Sequence, residues 1–509
     1  MRLRFGANLL HEWKLSVEGL IMSRTVLFPV LALFAFLIRL PQLGVRPMHT
    51  DEAINAYIVG RVMAGEAYHY DPHDRHGPAL AAVTVPVVRL LGSRSFSDLT
   101  EVQLRLVPVI IGTATILLLW WGAGFLGFWT SLIAAAWFAF APLPVYYNRY
   151  FIHETLFVAA TLGLILSGLQ LVKMNSFFFG ALAGISAALM LACKETAVLH
   201  FIALGVAVLV VQRVRRENFF IIRVSSQNIT VAATVFAGII ILLFTWFGQH
   251  WKGLGDLLQA GPQLIRRAGG EGHEKPAWYY AWVLGGSWAD SVFLLLATLG
   301  IYWSFRAKET QYQKARLLLA IYALAISAIY CGIPYKTPWL ALNLWLPLSI
   351  MAGVGIEQLL KLSPARSYRW TVCCGAVALA ALVSKETMLR VFTAPSDVKN
   401  PYAYSHPVED LFRLEPRIAE IVHDRHLETP RIAVITADPW PLPWYFRKYP
   451  NIGYWQPGND SGTADFYITS QDAINNPVPR IEHCHSEFFG LRPEELVVLW
   501  IPERKDKTP

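Results

Sequence analysis

The feature that most constrains this chain is a succession of apolar runs, most of them near the roughly 17–25 residues that cross about 30 Å of hydrocarbon as a helix. They fall at 25–40, 106–122, 128–146, 151–172, 177–192, 198–211, 229–247, 282–303, 317–332, 339–359 and 370–389. Charged residues make up 16% of the chain, against about 25% in a soluble globular domain. The fold expected is a polytopic α-helical membrane protein of about eleven transmembrane helices. Residues 1–24 are charged and lack a signal-peptide cleavage pattern, so they read as a cytoplasmic lead-in.

The net charge of +8 does not point to nucleic acid. Lys173, Arg213, Arg215, Arg216, Arg223, Arg306, Lys308, Lys314, Arg316, Lys361, Arg366 and Arg369 fall in alternate connections. That is the basic bias of a cytoplasmic face. With the N-terminus in the cytoplasm, loops 41–103 and 248–280 lie outside, as does everything after residue 390. The location expected is the cytoplasmic (inner) membrane. The five cysteines form no CxxC pair and read as small apolar residues.

Two further segments have a character of their own. Leu254–Arg267 has helical spacing of leucines and ends on Arg266 and Arg267 before the flexible Gly269-Gly270-Glu271-Gly272, as a surface helix and hinged lid would. From 391 to 509 charge and proline increase, and 431–436, 465–469 and 496–501 read as buried strands between helical pieces. A small C-terminal extracytoplasmic α/β domain is expected there.

Chemistry concentrates at the outer face. His49-Thr50-Asp51-Glu52 follows the first span, and His69, Asp71, His73, Asp74, Arg75 and His76 come soon after. Arg105, Arg149, Glu154, Lys194 and Lys336 stand at span ends on the same side. Ionisable residues at membrane depth are costly and mark function by default. Acids converging with cations suit transfer from a lipid-anchored phosphate: the cations hold the phosphate and a carboxylate accepts a hydroxyl proton. Blander readings stay open. Lys194 and Lys336 could snorkel, Arg149 and Glu154 could be a structural ion pair, and Asp51-Glu52 could serve a helix N-terminus. His49, Asp51 and His73 are candidate ligands for a divalent metal, though no cofactor is demanded.

Asp51-Glu52, His76-Gly77-Pro78, Gln103-Leu104-Arg105-Leu106 and the Arg149-to-Glu154 step, taken in this order, resemble the dolichyl-phosphate-mannose–protein mannosyltransferase-like branch of the GT-C glycosyltransferases. With Gly270-Glu271-Gly272-His273 and Pro334-Tyr335-Lys336-Thr337-Pro338-Trp339, the string is similar to a prokaryotic subgroup called flippase-activity-associated. The resemblance spans roughly residues 20–390. It implies an inverting transfer from a polyprenyl-phosphate sugar donor to an acceptor protein, lipid or glycan at the extracytoplasmic side of the bilayer. Asp51 would be the general base, Glu52 its support and Glu154 a second acid. Arg149, Lys194, Lys336 and Arg105 would hold the donor phosphate, with His76, Arg266, Arg267 and His273 at the acceptor or lid. Two departures stand out: His-Gly-Pro replaces the family's His-Pro-Pro, and Glu154 replaces an aspartate. The rival reading is a non-catalytic transporter or flippase component handling lipid-linked sugars.

Overall fold

The computed structural model describes residues 26–215, 224–306, 312–474 and 480–503. The lead-in 1–24 and the basic residues Arg216, Arg223 and Lys308 lie outside the described residues. The chain opens with α1 (Val26–Arg39), followed by two short helices of the first long connection, α2 (Thr50–Met63) and α3 (Ala79–Leu90). Next come α4 (Glu101–Leu126), α5 (Phe128–Phe140), α6 (Pro142–Tyr147), α7 (Glu154–Met174), α8 (Phe177–Cys193), α9 (Ala197–Arg215) and α10 (Ser226–Phe244). The second long connection holds α11 (Lys252–Ala268) and α12 (Tyr279–Gly285), and α13 (Trp288–Arg306), α14 (Gln313–Gly332), α15 (Ala341–Lys361) and α16 (Arg366–Thr387) complete the membrane part.

Among the described residues, 8 helices are long and apolar enough to cross a membrane. The shorter apolar helices α1, α5 and α8 coincide with the other three expected spans. Helix α3 has 12 residues, too few to span.

Close backbone approach holds the bundle together, as is usual where lipid removes the hydrophobic drive between helices. At the crossing of α13 and α15, a Cβ on Gly300 would lie 1.8 Å from the carbonyl oxygen of Met351. One on Gly355 would lie 2.2 Å from that of Leu296, so only glycine fits on either side. Elsewhere a buried cation repairs a helix break. Pro142 forces Ala141 out of helical geometry and ends α5. Arg39 then donates to the freed carbonyls of Phe138 and Ala139, each at 2.8 Å.

The C-terminal part contains α17 (Leu414–Asp424), α18 (Leu442–Tyr445) and the strands β1 (Ile432–Ile435), β2 (Ile452–Trp455), β3 (Phe466–Ser470), β4 (Cys484–Arg492) and β5 (Glu495–Pro502). The sheet order is β2-β1-β3-β5-β4. Strands β1, β2 and β3 are parallel, while β5 and β4 run antiparallel at the far edge. The three strands expected from sequence are β1, β3 and β5, whose inward residues are buried on both faces. Strands β2 and β4 are half-exposed edge strands; β2 has four residues and a glycine inside it, and β4 mixes polar with apolar residues, so neither offers a continuous apolar run.

This sheet sits against the first long connection. Arg492 donates to the Thr50 hydroxyl at 2.9 Å, the Met48 N–H donates to the Tyr445 hydroxyl at 2.9 Å, and Trp444 Nε1–H donates to Glu101 at 2.7 Å.

Candidate functional site

The site grows from the start of α2. His49 is its N-cap, accepting the Asp51 N–H on Nδ1 at 3.1 Å, while the Glu52 carboxylate accepts the His49 N–H at 3.2 Å. This reciprocal cap satisfies two amides that helix geometry leaves free. It also turns the two carboxylates in opposite directions.

Glu52 points inward and is fully buried. It accepts from Arg105 Nε at 2.8 Å and Nη2 at 2.7 Å, from Arg46 at 3.3 Å and from the Phe151 N–H at 2.9 Å. Burial pushes its pKa up, but Arg105 and Arg46 outweigh burial and hold it well below the usual carboxylate range.

Asp51 points the other way. Its side chain is 43% exposed, and among the described residues its carboxylate oxygens accept no hydrogen bond. It opens on a cavity of about 300 Å³. Lys194, His76, Arg267 and His273 line the same cavity, with Glu195, Tyr335 and an apolar wall of Leu199, Leu264, Ile333 and Leu340. A smaller cavity of about 90 Å³ shares Asp51, His76, Lys194 and Trp339, and adds Asn55, Tyr68, His153 and Glu154. Asp51 therefore faces both spaces.

Lys194 reaches this place because α8 stops at Cys193 and the chain turns extended before α9 begins. Its ammonium donates to Glu154 at 2.5 Å, in a buried pair. The partner of Glu154 is thus Lys194 and not Arg149. Gly77 explains the His-Gly-Pro departure. Its N–H donates to the Cys193 carbonyl at 3.2 Å, which proline has no N–H to do. A Cβ there would lie 2.2 Å from the Ala192 oxygen. The glycine lets the loop lie on the end of α8 and sets His76 beside Glu195.

Glu195 stands beside Lys194 in the same span break, and the sequence assigns it no role. It accepts from the Tyr70 hydroxyl at 2.6 Å and from His76 Nδ1–H at 3.3 Å. Burial raises its pKa, but the His76 and Tyr70 bonds prevail and hold it at about 2. A signal did exist: an acid in the break between two apolar runs. Tyr70, in a polar loop, carried none. His153 packs against the His76 ring at 5.2 Å. Burial, then the charges of His76 and Lys194, keep it neutral well below the ordinary imidazole value.

Other residues read as site residues lie elsewhere. Arg105 spends its donors on Glu52 and on the carbonyls of Leu43, Arg46 and Pro47, away from both larger cavities. Arg149 donates to the carbonyls of Pro41 and Val391 and lies over the Phe392 ring. Lys336 is buried and donates to the carbonyls of Ile333 and Lys275, which places it at the end of α14. Span-end position gave their depth in the membrane part but not their direction.

The loop 248–280 is pinned at both sides of the cavity. Arg267 donates to the His73 carbonyl, and a β-bridge joins Glu274 to Tyr335. His273 Nδ1 bonds the Tyr404 hydroxyl at 2.8 Å, so the C-terminal part helps hold it. Arg266 faces outward, paired with Glu271.

The metal set expected at His49, Asp51 and His73 does not assemble. Both ring nitrogens of His49 are spent: Nδ1 accepts from Asp51, and Nε2–H donates to the Tyr404 carbonyl at 3.1 Å. Among the described residues, no group of three His, Cys, Asp or Glu side chains converges as metal ligands.

The family model for dolichyl-phosphate-mannose–protein mannosyltransferase matches residues 85–242. No curated protein matches the chain by sequence. Solved structures match its fold. ArnT from Cupriavidus metallidurans in the apo state has a TM-score of 0.65 at 15% identity, covering 94% of this chain and 98% of that one. ArnT bound to undecaprenyl phosphate gives 0.61 at 15%, covering 93% and 97%. The apo Archaeoglobus fulgidus oligosaccharyltransferase gives 0.57 at 11%, covering 87% of this chain and 65% of its own. The chain has the fold of the GT-C membrane glycosyltransferases, and its residues 85–242 match the mannosyltransferase branch of that group.

Proposed function

We propose that this protein is a membrane glycosyltransferase. It moves a hexose from a polyprenyl-phosphate-linked donor to an acceptor hydroxyl on the extracytoplasmic face, with inversion at the anomeric carbon. The observation that carries this reading is the Asp51 carboxylate, which accepts no hydrogen bond among the described residues and opens on a cavity that also holds Lys194, Arg267, His76 and His273.

The step needs three groups placed together. The acceptor oxygen forms a bond to the anomeric carbon as the carbon–oxygen bond to phosphate breaks. The bonding electrons leave with the polyprenyl phosphate, and the acceptor proton passes to Asp51. A positioned carboxylate of this kind contributes about 10²–10⁴-fold to rate. Lys194, held by Glu154, and Arg267 meet the charge that grows on the phosphate. The wall of Leu199, Leu264, Ile333 and Leu340 suits the isoprenoid chain. The smaller cavity on the other side of Asp51 suits the acceptor hydroxyl. The ArnT structure with undecaprenyl phosphate supports a lipid phosphate as donor in this fold.

The test is incubation of purified protein with radiolabelled polyprenyl-phosphate sugars and membrane acceptors. Transfer by the native chain and its loss in Asp51→Asn is the expected result. Undiminished transfer in that variant would remove Asp51 as the base. Movement of lipid-linked sugar across vesicles without transfer from any donor would replace the proposal with a transporter.

A further inference from the structure

Behind Glu52, two guanidinium groups share one carboxylate and a third, Arg149, lies beside them without an acid of its own. Arg105 takes both oxygens of Glu52 and is fully engaged. Arg46 reaches Glu52 at 3.3 Å and the Arg149 carbonyl at 3.1 Å, with its charge over the Tyr150 ring at 4.3 Å. Arg149 has only carbonyl and ring partners among the described residues. Arg46 and Arg149 are 7% and 6% exposed, and the Nε–H of each is buried without a partner.

Both arginines line a narrow cavity of about 10 Å³, together with Gln42, Leu43, Tyr146 and Pro395. A space of that size holds a single water-sized sphere. We propose that this cavity binds one small monovalent inorganic anion of the chloride class.

The charge balance is the reason. Arg39, Arg46, Arg105 and Arg149 stand against Glu52 and, beside Arg105, Glu101, so buried positive charge is left over, and an uncompensated buried ion is strongly destabilising. Arginine does not relieve this by losing its proton in proteins. Burial, then the positive charges of Arg46, Arg105 and Arg39, pull Arg149 down to about 9, as befits a cation short of an anion. A neutral water in the cavity would leave the charge uncompensated. Phosphate and lipid headgroups are larger than the space. The bound anion would brace Arg46, and through it Glu52 and the start of α2.

The test uses the full chain in detergent micelles. Unfolding temperature is followed as sodium bromide or chloride replaces sodium gluconate at constant ionic strength. The expected result is a saturable rise of about 2 °C or more with halide. Gln42→Glu places a carboxylate at the cavity, and the halide response should then vanish while the protein in gluconate becomes as stable as the native chain in halide. Crystals grown in bromide should show an anomalous peak between Arg46 and Arg149, which decides the matter should that variant fail to fold. Equal titrations in both salts, a response unchanged in Gln42→Glu, or water alone in the cavity would overturn the proposal. None of these outcomes bears on glycosyl transfer.

Discussion

Around Glu52, every hydrogen-bonding position of a carboxylate is taken by Arg105, Arg46 and two backbone amides, and no larger cavity reaches it. One residue earlier, Asp51 accepts no hydrogen bond among the described residues, with only His49 Nδ1 at 4.0 Å, and has two cavities in front of it. The two clusters also differ in balance. Behind Glu52 cations exceed acids, whereas around Asp51 the acids Asp51, Asp74, Glu154, Glu195 and Glu271 meet Lys194, Arg75, Arg267, His76 and His273. A saturated acid is a scaffold, and an unsaturated acid at a cavity is available for proton transfer.

The sharpest way to break this contrast is to neutralise each acid alone. Asp51→Asn should lower sugar transfer by about 10²–10⁴-fold, read by radiolabel transfer, with the unfolding temperature unchanged. Glu52→Gln should instead cost about 3–5 kcal/mol of stability, read by denaturant or thermal unfolding, because it leaves Arg105 and Arg46 buried without a counter-charge. A Glu52→Gln protein that keeps its stability and loses only transfer would merge the two clusters into one active site.

The same contrast shows what was legible in the sequence. The apolar runs located the spans, because membrane crossing imposes a length that no loop imitates. Asp51, Lys194 and His76 were found because charge near lipid is expensive. That argument reports depth only. Arg105, Arg149 and Lys336 have the depth of Lys194, yet their side chains turn toward carbonyls and Glu52, and azimuth around a helix bundle depends on contacts between distant spans. Glu195 was legible as an acid between two spans. Its partner Tyr70, 125 residues away, was not. In the C-terminal part, β2 and β4 escaped because an edge strand needs no continuous apolar run.

Lysines sharpen the comparison at a smaller scale. Lys194→Met should lower transfer about 10²-fold or more, chiefly in the rate term, if its ammonium meets the leaving phosphate. Lys336→Met removes a cation that donates to backbone carbonyls at the end of α14, where burial lowers its pKa. It should change transfer little and cost about 1 kcal/mol of stability. Equal losses of transfer in the two variants would show that depth alone decides the role.

The smallest effect belongs to the neighbouring pair at the end of α11. Arg266 is 71% exposed on its side chain and pairs with Glu271 at 2.9 Å. Exposed pairs of this kind contribute about 0–1 kcal/mol. Arg267, the next residue, lines the larger cavity and donates to the His73 carbonyl, closing the space between the two long connections. Arg266→Ala should leave transfer unchanged and stability within about 0.5 kcal/mol. Arg267→Ala should raise the donor concentration needed for half-maximal transfer, because both the phosphate contact and the bridge to His73 go with it. Consecutive residues on a helix lie about 100° apart, so one can serve the cavity while the other faces solvent. If Arg266→Ala proves the more damaging of the two, the helix presents its other face to the donor, and the cavity in front of Asp51 is closed differently during the reaction.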